Sequence, residues 1–214
     1  MMKTNLLIIF LCLFSFFGIN AQTEKCNLQK NSLYDCYIVD VEKTICLAKN
    51  SDKDITIFFT YAYWCGGCKT RLPEAIKISE EYNTDFYLLL IDAEEDRFNA
   101  KQTKFSIDSY DKQLKTVTIS DSLYTEKALK KIRKTLKSPI QLKGNSFREK
   151  YRKYLTELTP SGYENTFEVP KYIILNKKGE VLFVSGLDET IDMEYEIITN
   201  AIERDRMMNK GADN

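Results

Sequence analysis

Histidine is absent from all 214 residues. That excludes Ser-His and Cys-His catalytic pairs, an imidazole general base, and His-ligated zinc, copper or haem. Chemistry on this chain has to run on cysteine, carboxylate, lysine, tyrosine or a borrowed cofactor. Net charge is absent as well. The 31 Lys and Arg balance 31 Asp and Glu, which argues against a general nucleic-acid-binding role. Proline (four) and glycine (eight) are scarce, and no Ser/Gly linker, repeat or low-complexity tract interrupts the chain. No internal domain boundary is therefore expected. With 43% apolar residues, this length suits one globular domain with a real core and excludes disorder or collagen.

Long apolar runs are also few. Leu6 to Phe17 is interrupted only by Ser15, follows one charge at Lys3, and precedes Gly18-Ile19-Asn20-Ala21-Gln22. That charged, apolar, small-residue order reads as a secretory signal peptide over residues 1–21, with a cut after Ala21. The run is short for a bilayer span of about 20 residues. The expectation is a mature chain of 22–214, exported: periplasmic in a two-membraned bacterium, otherwise lumenal or extracellular. Export then governs the remaining cysteines, Cys26, Cys36, Cys46, Cys65 and Cys68, which tend toward disulfides in an oxidising compartment. If Cys65 and Cys68 pair, two of the other three have the means to form a structural bridge, and the spacing does not say which two.

Local patterns predict an α/β fold. Tyr37–Val41 and Thr44–Leu47 read as two short strands joined by Glu42-Lys43, an N-terminal hairpin. Ile55–Tyr61 is a β-branched and aromatic strand, followed by a helical pattern through Leu72, Ala75 and Ile76. Phe86–Ile91 is a continuous apolar run of the kind a parallel strand covered on both faces requires, which completes a βαβ unit. Lys171–Leu175 and Val181–Val184 flank a turn with Gly179 placed for positive φ, and Ile191–Met208 follows as a helix. Residues 94–165 hold two expected helices, Thr125–Lys137 and Ser146–Leu158, and a strand at Val117–Ile119.

The chemistry concentrates at Trp64-Cys65-Gly66-Gly67-Cys68, where strand gives way to helix. A first thiol at a helix N-terminus meets unpaired backbone N–H groups and the positive end of the helix dipole, which favour a thiolate. The second thiol lies one turn deeper, placed to displace a mixed disulfide formed by the first. Cys65 is therefore the expected attacking nucleophile and Cys68 the resolving thiol. Gly66 and Gly67 leave the first turn open to a partner polypeptide, and Trp64 supplies an apolar wall. A closed zinc site would need two further ligands, and neither histidine nor a second Cys-x-x-Cys exists to supply them. No metal or organic cofactor is expected.

Phe58 to Lys69 resembles the active-site strand and helix start of the thioredoxin superfamily. Pro73, five residues after the second cysteine, Val169-Pro170 opening a late strand, and Gly179 with Gly186 agree in order and spacing. The hairpin ahead of the core and the export signal are most similar to exported TlpA/ResA-like thiol-disulfide oxidoreductases. The resemblance covers residues 37–92 and 167–205, with 94–165 as an enlarged, helical insertion. It implies a thioredoxin-like central sheet flanked by helices. It further implies that Pro170, in the cis state, packs against the cysteine pair while the Val169 backbone pairs with an extended substrate segment. Three positions depart from the pattern. Gly67 stands where proline is frequent, Phe59 where thioredoxins carry a buried acid, and Arg71 where TlpA/ResA-like proteins often carry glutamate.

The resemblance implies disulfide exchange with exported protein thiols or disulfides, in the reductase or isomerase direction, with electrons passing to or from another dithiol protein. Two rival classes stand beside it. One is a non-catalytic binding module docking a partner through the insertion; the other is a protein handling metal with the dithiol alone. From Lys127 to Lys153 eleven Lys and Arg face one acid, Glu149. The preferred reading of that stretch is a pair of solvated helix faces, and the alternative is weak contact with an acidic partner or membrane surface.

Overall fold

The computed structural model describes residues 22, 24–94, 96–110, 114–136, 145–160, 168–186 and 191–212. The expected signal peptide lies outside the described residues. Seven strands form one mixed sheet: β1 (Gln29–Asn31), β2 (Cys36–Val39), β3 (Ile55–Tyr61), β4 (Asp85–Leu90), β5 (Lys115–Ile119), β6 (Tyr172–Asn176) and β7 (Val181–Val184). Their spatial order is β1-β2-β5-β4-β3-β6-β7. The run β2-β5-β4-β3 is parallel, and β1, β6 and β7 are antiparallel to their neighbours. Every residue of β3 is buried, because this strand lies inside the sheet with both faces covered.

Among the described residues the sheet is flanked by the helices α1 (Val41–Lys49), α2 (Gly66–Glu81), α3 (Arg97–Asp108), α4 (Glu126–Leu136), α5 (Asn145–Leu158) and α6 (Ile191–Ala212). The helices at the end of the insertion and of the chain fall close to their expected positions. On α6, Ile198 and Ile202 are buried as the periodicity requires. Tyr151, Tyr154 and Leu155 seat α5 in the core, and the Tyr154 hydroxyl lies 2.9 Å from Thr44 Oγ1 of α1.

Two expectations need correcting. Thr44–Leu47 is not a strand but the middle of α1. Asp40 caps that helix, its side chain accepting from the Lys43 N–H, and Thr44, Leu47 and Ala48 point inward at helical spacing. A local cap and three-to-four periodicity override the β-branched character of Thr44 and Ile45. The hairpin lies earlier, β1 with β2, around a turn in which Asn31 Oδ1 accepts from the Leu33 and Tyr34 amides. The insertion, in turn, is more than a helical crossover. Its strand β5 enters the sheet between β2 and β4, so part of it is core.

Cys26 and Cys46 form the structural disulfide, fastening the segment before β1 to α1. Cys36 is the free cysteine among the described residues and is buried; burial pushes its thiol up to about 12.

Candidate functional site

The carboxyl ends of the parallel strands β3 and β4 and the start of the antiparallel strand β6 meet at one edge of the sheet. Cys65 sits there as the N-cap of α2, and Cys68 lies in the first turn. The two are joined in a disulfide, with Cα atoms 5.2 Å apart. The Cys68 amide donates to Cys65 Sγ at 3.0 Å, so the sulfur takes the place of a capping oxygen for an otherwise unpaired helix N–H. Cys65 keeps 6% of its surface exposed while Cys68 is fully buried. An incoming partner therefore meets Cys65 first.

Val169-Pro170 is a cis peptide bond. The Val169 carbonyl oxygen lies 3.6 Å from Cys65 Sγ, and Pro170 faces the start of α2. The loop is anchored behind the site: Lys171 N–H donates to Thr60 Oγ1 at 2.7 Å, and Thr60 N–H returns a bond to the Lys171 carbonyl at 2.9 Å. The two glycines do different work. A side chain at Gly66 would enter open space, whereas a Cβ at Gly67 would lie 3.3 Å from Pro170 Cδ. Both glycines are exposed, and Gly67 in addition lets the helix start approach the proline. Pro73 lies inside α2, where it removes one helical N–H.

The structure thus brings together every residue singled out for the site: Trp64, Cys65, Gly66, Gly67, Cys68, Val169 and Pro170. Phe59 is fully buried and edge-on to Tyr172, ring centroids 5.1 Å apart. Arg71 is half-buried on α2.

One acid was missed. Asp92, just past β4, is 4% exposed, and its Oδ1 accepts from both the Trp64 indole N–H and Asn99 Nδ2, each at 2.9 Å. Burial raises its carboxyl to about 7, Asp96 adds to the rise, and Trp64, Lys150 and Asn99 oppose it. Its signal was available, since it directly follows the apolar run Phe86–Ile91 at the carboxyl end of a parallel strand, where sites in such sheets gather. Lys150, counted in the basic run, is fully buried. Its Nζ donates to the Asp92 carbonyl (2.7 Å), the Ile119 carbonyl (2.8 Å) and Asp121 Oδ1 (2.8 Å). Of the rest of that run, Lys127, Lys130, Lys134, Arg148, Arg152 and Lys153 are exposed, while Lys137 and Lys143 lie outside the described residues. Helix α3 also brings Phe98, half exposed, edge-on to Tyr63 at 5.6 Å, which extends an aromatic surface beside Trp64.

Fold and site define a thioredoxin-like α/β protein with a cysteine pair opening the helix after its central strand. A family model described as Thioredoxin matches residues 41–123, from α1 through β5 to the turn after it. Among solved structures, dsbF from MTB is similar at 11% identity and a TM-score of 0.38, covering 69% of this chain and 81% of that one. A thioredoxin-related protein from Neisseria meningitidis serogroup B gives 11% and 0.38, covering 72% and 85%. Yeast Sco1 gives 10% and 0.42, covering 73% and 88%. No curated protein matches the chain.

Proposed function

We propose that this protein is an exported thiol-disulfide oxidoreductase that exchanges disulfides with protein partners through Cys65 and Cys68. The observation that carries the reading is the cysteine pair at the α2 N-terminus, its outer sulfur 3.6 Å from the carbonyl of a cis Val169-Pro170. Unpaired helix N–H groups favour the Cys65 thiolate once the pair is reduced. That thiolate attacks a partner disulfide, so a Cys65–partner S–S bond forms and the partner's own S–S bond breaks, releasing one partner thiolate that takes up a proton. The Cys68 thiolate then attacks Cys65 Sγ. The Cys65–Cys68 bond re-forms, and the second partner thiol leaves protonated. Two electrons have passed from the pair to the partner, and a further dithiol protein restores them.

Export, the TlpA/ResA-like kinship and the reductase or isomerase direction belong to this proposal. The charged, apolar, small-residue order of residues 1–21 and a structural disulfide at Cys26–Cys46 support export. No helix of the described residues is long and apolar enough to cross a membrane.

The test is equilibration of residues 22–214 in glutathione buffers of graded poise, with alkylation and mass spectrometry of each cysteine. Reversible titration of Cys65–Cys68 within roughly −270 to −120 mV is expected. A pair that stays closed far below that range, or never closes, would overturn the proposal.

A further inference from the structure

Asp92 lies at the same edge of the sheet as the cysteines, yet it carries no part of the exchange just described. Its two carboxylate oxygens differ. Oδ1 receives both available hydrogen bonds, from the Trp64 indole and the Asn99 amide, whereas Oδ2 is buried with no hydrogen-bond partner. Asn99 Oδ1 and Thr103 Oγ1, one turn apart on α3, are likewise buried and unpartnered. A buried carboxylate with one unsatisfied oxygen is costly, and protonation at Oδ2 relieves that cost. Trp64, the residue held by the other oxygen, immediately precedes Cys65.

We propose that Asp92 is a positioning residue for the dithiol: it holds Trp64 beside Cys65 through the indole N–H, and gain or loss of its proton loosens or tightens that hold. As the carboxylate, Asp92 makes charge-assisted bonds to Trp64 and Asn99, roughly twice as strong as the neutral ones. With a proton on Oδ2, both bonds weaken and the wall beside Cys65 is less firmly set. The exchange rate then follows the protonation of Asp92 as well as that of Cys65.

Several groups act on this carboxyl. Asp96 and Asn99 belong to α3 or its cap, Lys150 to α5, and Asp121 to the turn after β5, where it neutralises Lys150. The phenols of Tyr34, Tyr61, Tyr63 and Tyr124 sense its charge. The only cation among them, Lys150, places its Nζ on the Asp92 carbonyl and on Asp121 rather than on the Asp92 carboxylate. Burial therefore prevails, and the carboxyl titrates at about 7.

Trp64 is the only tryptophan in the chain, so tryptophan emission comes from this indole alone. Emission of the full exported chain, oxidised, is followed from pH 5 to 9 in the wild type, Asp92→Asn and Asn99→Ala. The expected result is a wild-type transition centred near pH 7 that Asp92→Asn abolishes. In Asn99→Ala, which removes a bond to the ionised form, the midpoint moves up by about half a unit or more. A flat wild-type profile, or an unchanged transition in Asp92→Asn, overturns the inference. Where Asp92→Asn does not fold, an unmoved midpoint in Asn99→Ala overturns it equally. The rate of thiol exchange with oxidised glutathione is read across the same range, and Asp92→Asn is expected to lose one inflexion near pH 7 and keep that of Cys65. Retention of both inflexions overturns the link to exchange. That link rests on the proposed oxidoreductase activity, whereas the emission titration does not. A wild type unable to exchange disulfides removes the activity and leaves the Asp92–Trp64 titration to be judged by itself.

Discussion

At the scale of single residues, the proposed exchange assigns the two cysteines their roles by depth. Cys65 retains some exposure and Cys68 has none, so only Cys65 can be attacked or attack from outside. Cys65→Ser is expected to abolish reduction of insulin disulfides. Cys68→Ser is expected to form mixed disulfides that persist, seen as a reductant-sensitive mass increase. Asp92 adds a pH dependence of stability. Its carboxyl is raised from 3.8 to about 7, so between these values the folded protein keeps a proton that the unfolded chain has released. Its contribution to stability is greatest below pH 4 and falls as pH rises to 7. Asp92→Asn has no such titration. Its unfolding free energy relative to wild type is expected to rise by on the order of 3 kcal/mol between pH 4.5 and 8, read from urea denaturation across that range.

Elements are held in place by a few polar contacts that a residue-by-residue view would miss. Lys150 reaches from α5 to the carboxyl ends of β4 and β5 and satisfies three acceptors there. Lys150→Met keeps the aliphatic stem but leaves the Asp121 carboxylate unpaired and two carbonyls unmet, which is expected to cost about 3 kcal/mol in urea unfolding at pH 7. The β6–β7 turn depends on Gly179 in two ways. Its φ is +79°, and a Cβ there would lie 2.7 Å from Ile45 Cγ2 and from Lys49 Cε on α1. Gly179→Ala is expected to destabilise by about 1–2 kcal/mol in the same measurement. The helix α2 begins where it does because Cys65 Sγ accepts the Cys68 amide, so the outer sulfur of the pair and the helix cap are one atom.

For the whole molecule, the disulfide Cys26–Cys46 connects the N-terminal segment to the first helix across a separation of 20 residues. Closing a loop of that length removes unfolded-state entropy worth about 3 kcal/mol. The double variant Cys26→Ser/Cys46→Ser is expected to lose about that much in urea unfolding, while the Cys65–Cys68 pair still titrates in glutathione buffers. A loss of titration would mean that the N-terminal segment supports the site as well as the fold.

What could be read from the residues in order was whatever depends on near neighbours. The βαβ unit at residues 55–91, the glycine turn at Gly179, the late helices and the thiol pair at a helix start are all set by spacing within a few turns or strands. The cap at Asp40 was equally local, and only the β-branched Thr44 and Ile45 obscured it. Three facts were decided by the tertiary structure because they join residues far apart in the chain. The entry of β5 between β2 and β4 required partners for its backbone that no local pattern specifies. The pairing of Cys26 with Cys46 rather than Cys36 required their Cα atoms to meet at 5.7 Å. The burial of Asp92 and Lys150 depended on α3 and α5 closing over the strand ends, and a charged side chain gives no sign in the sequence that its surroundings will be dry.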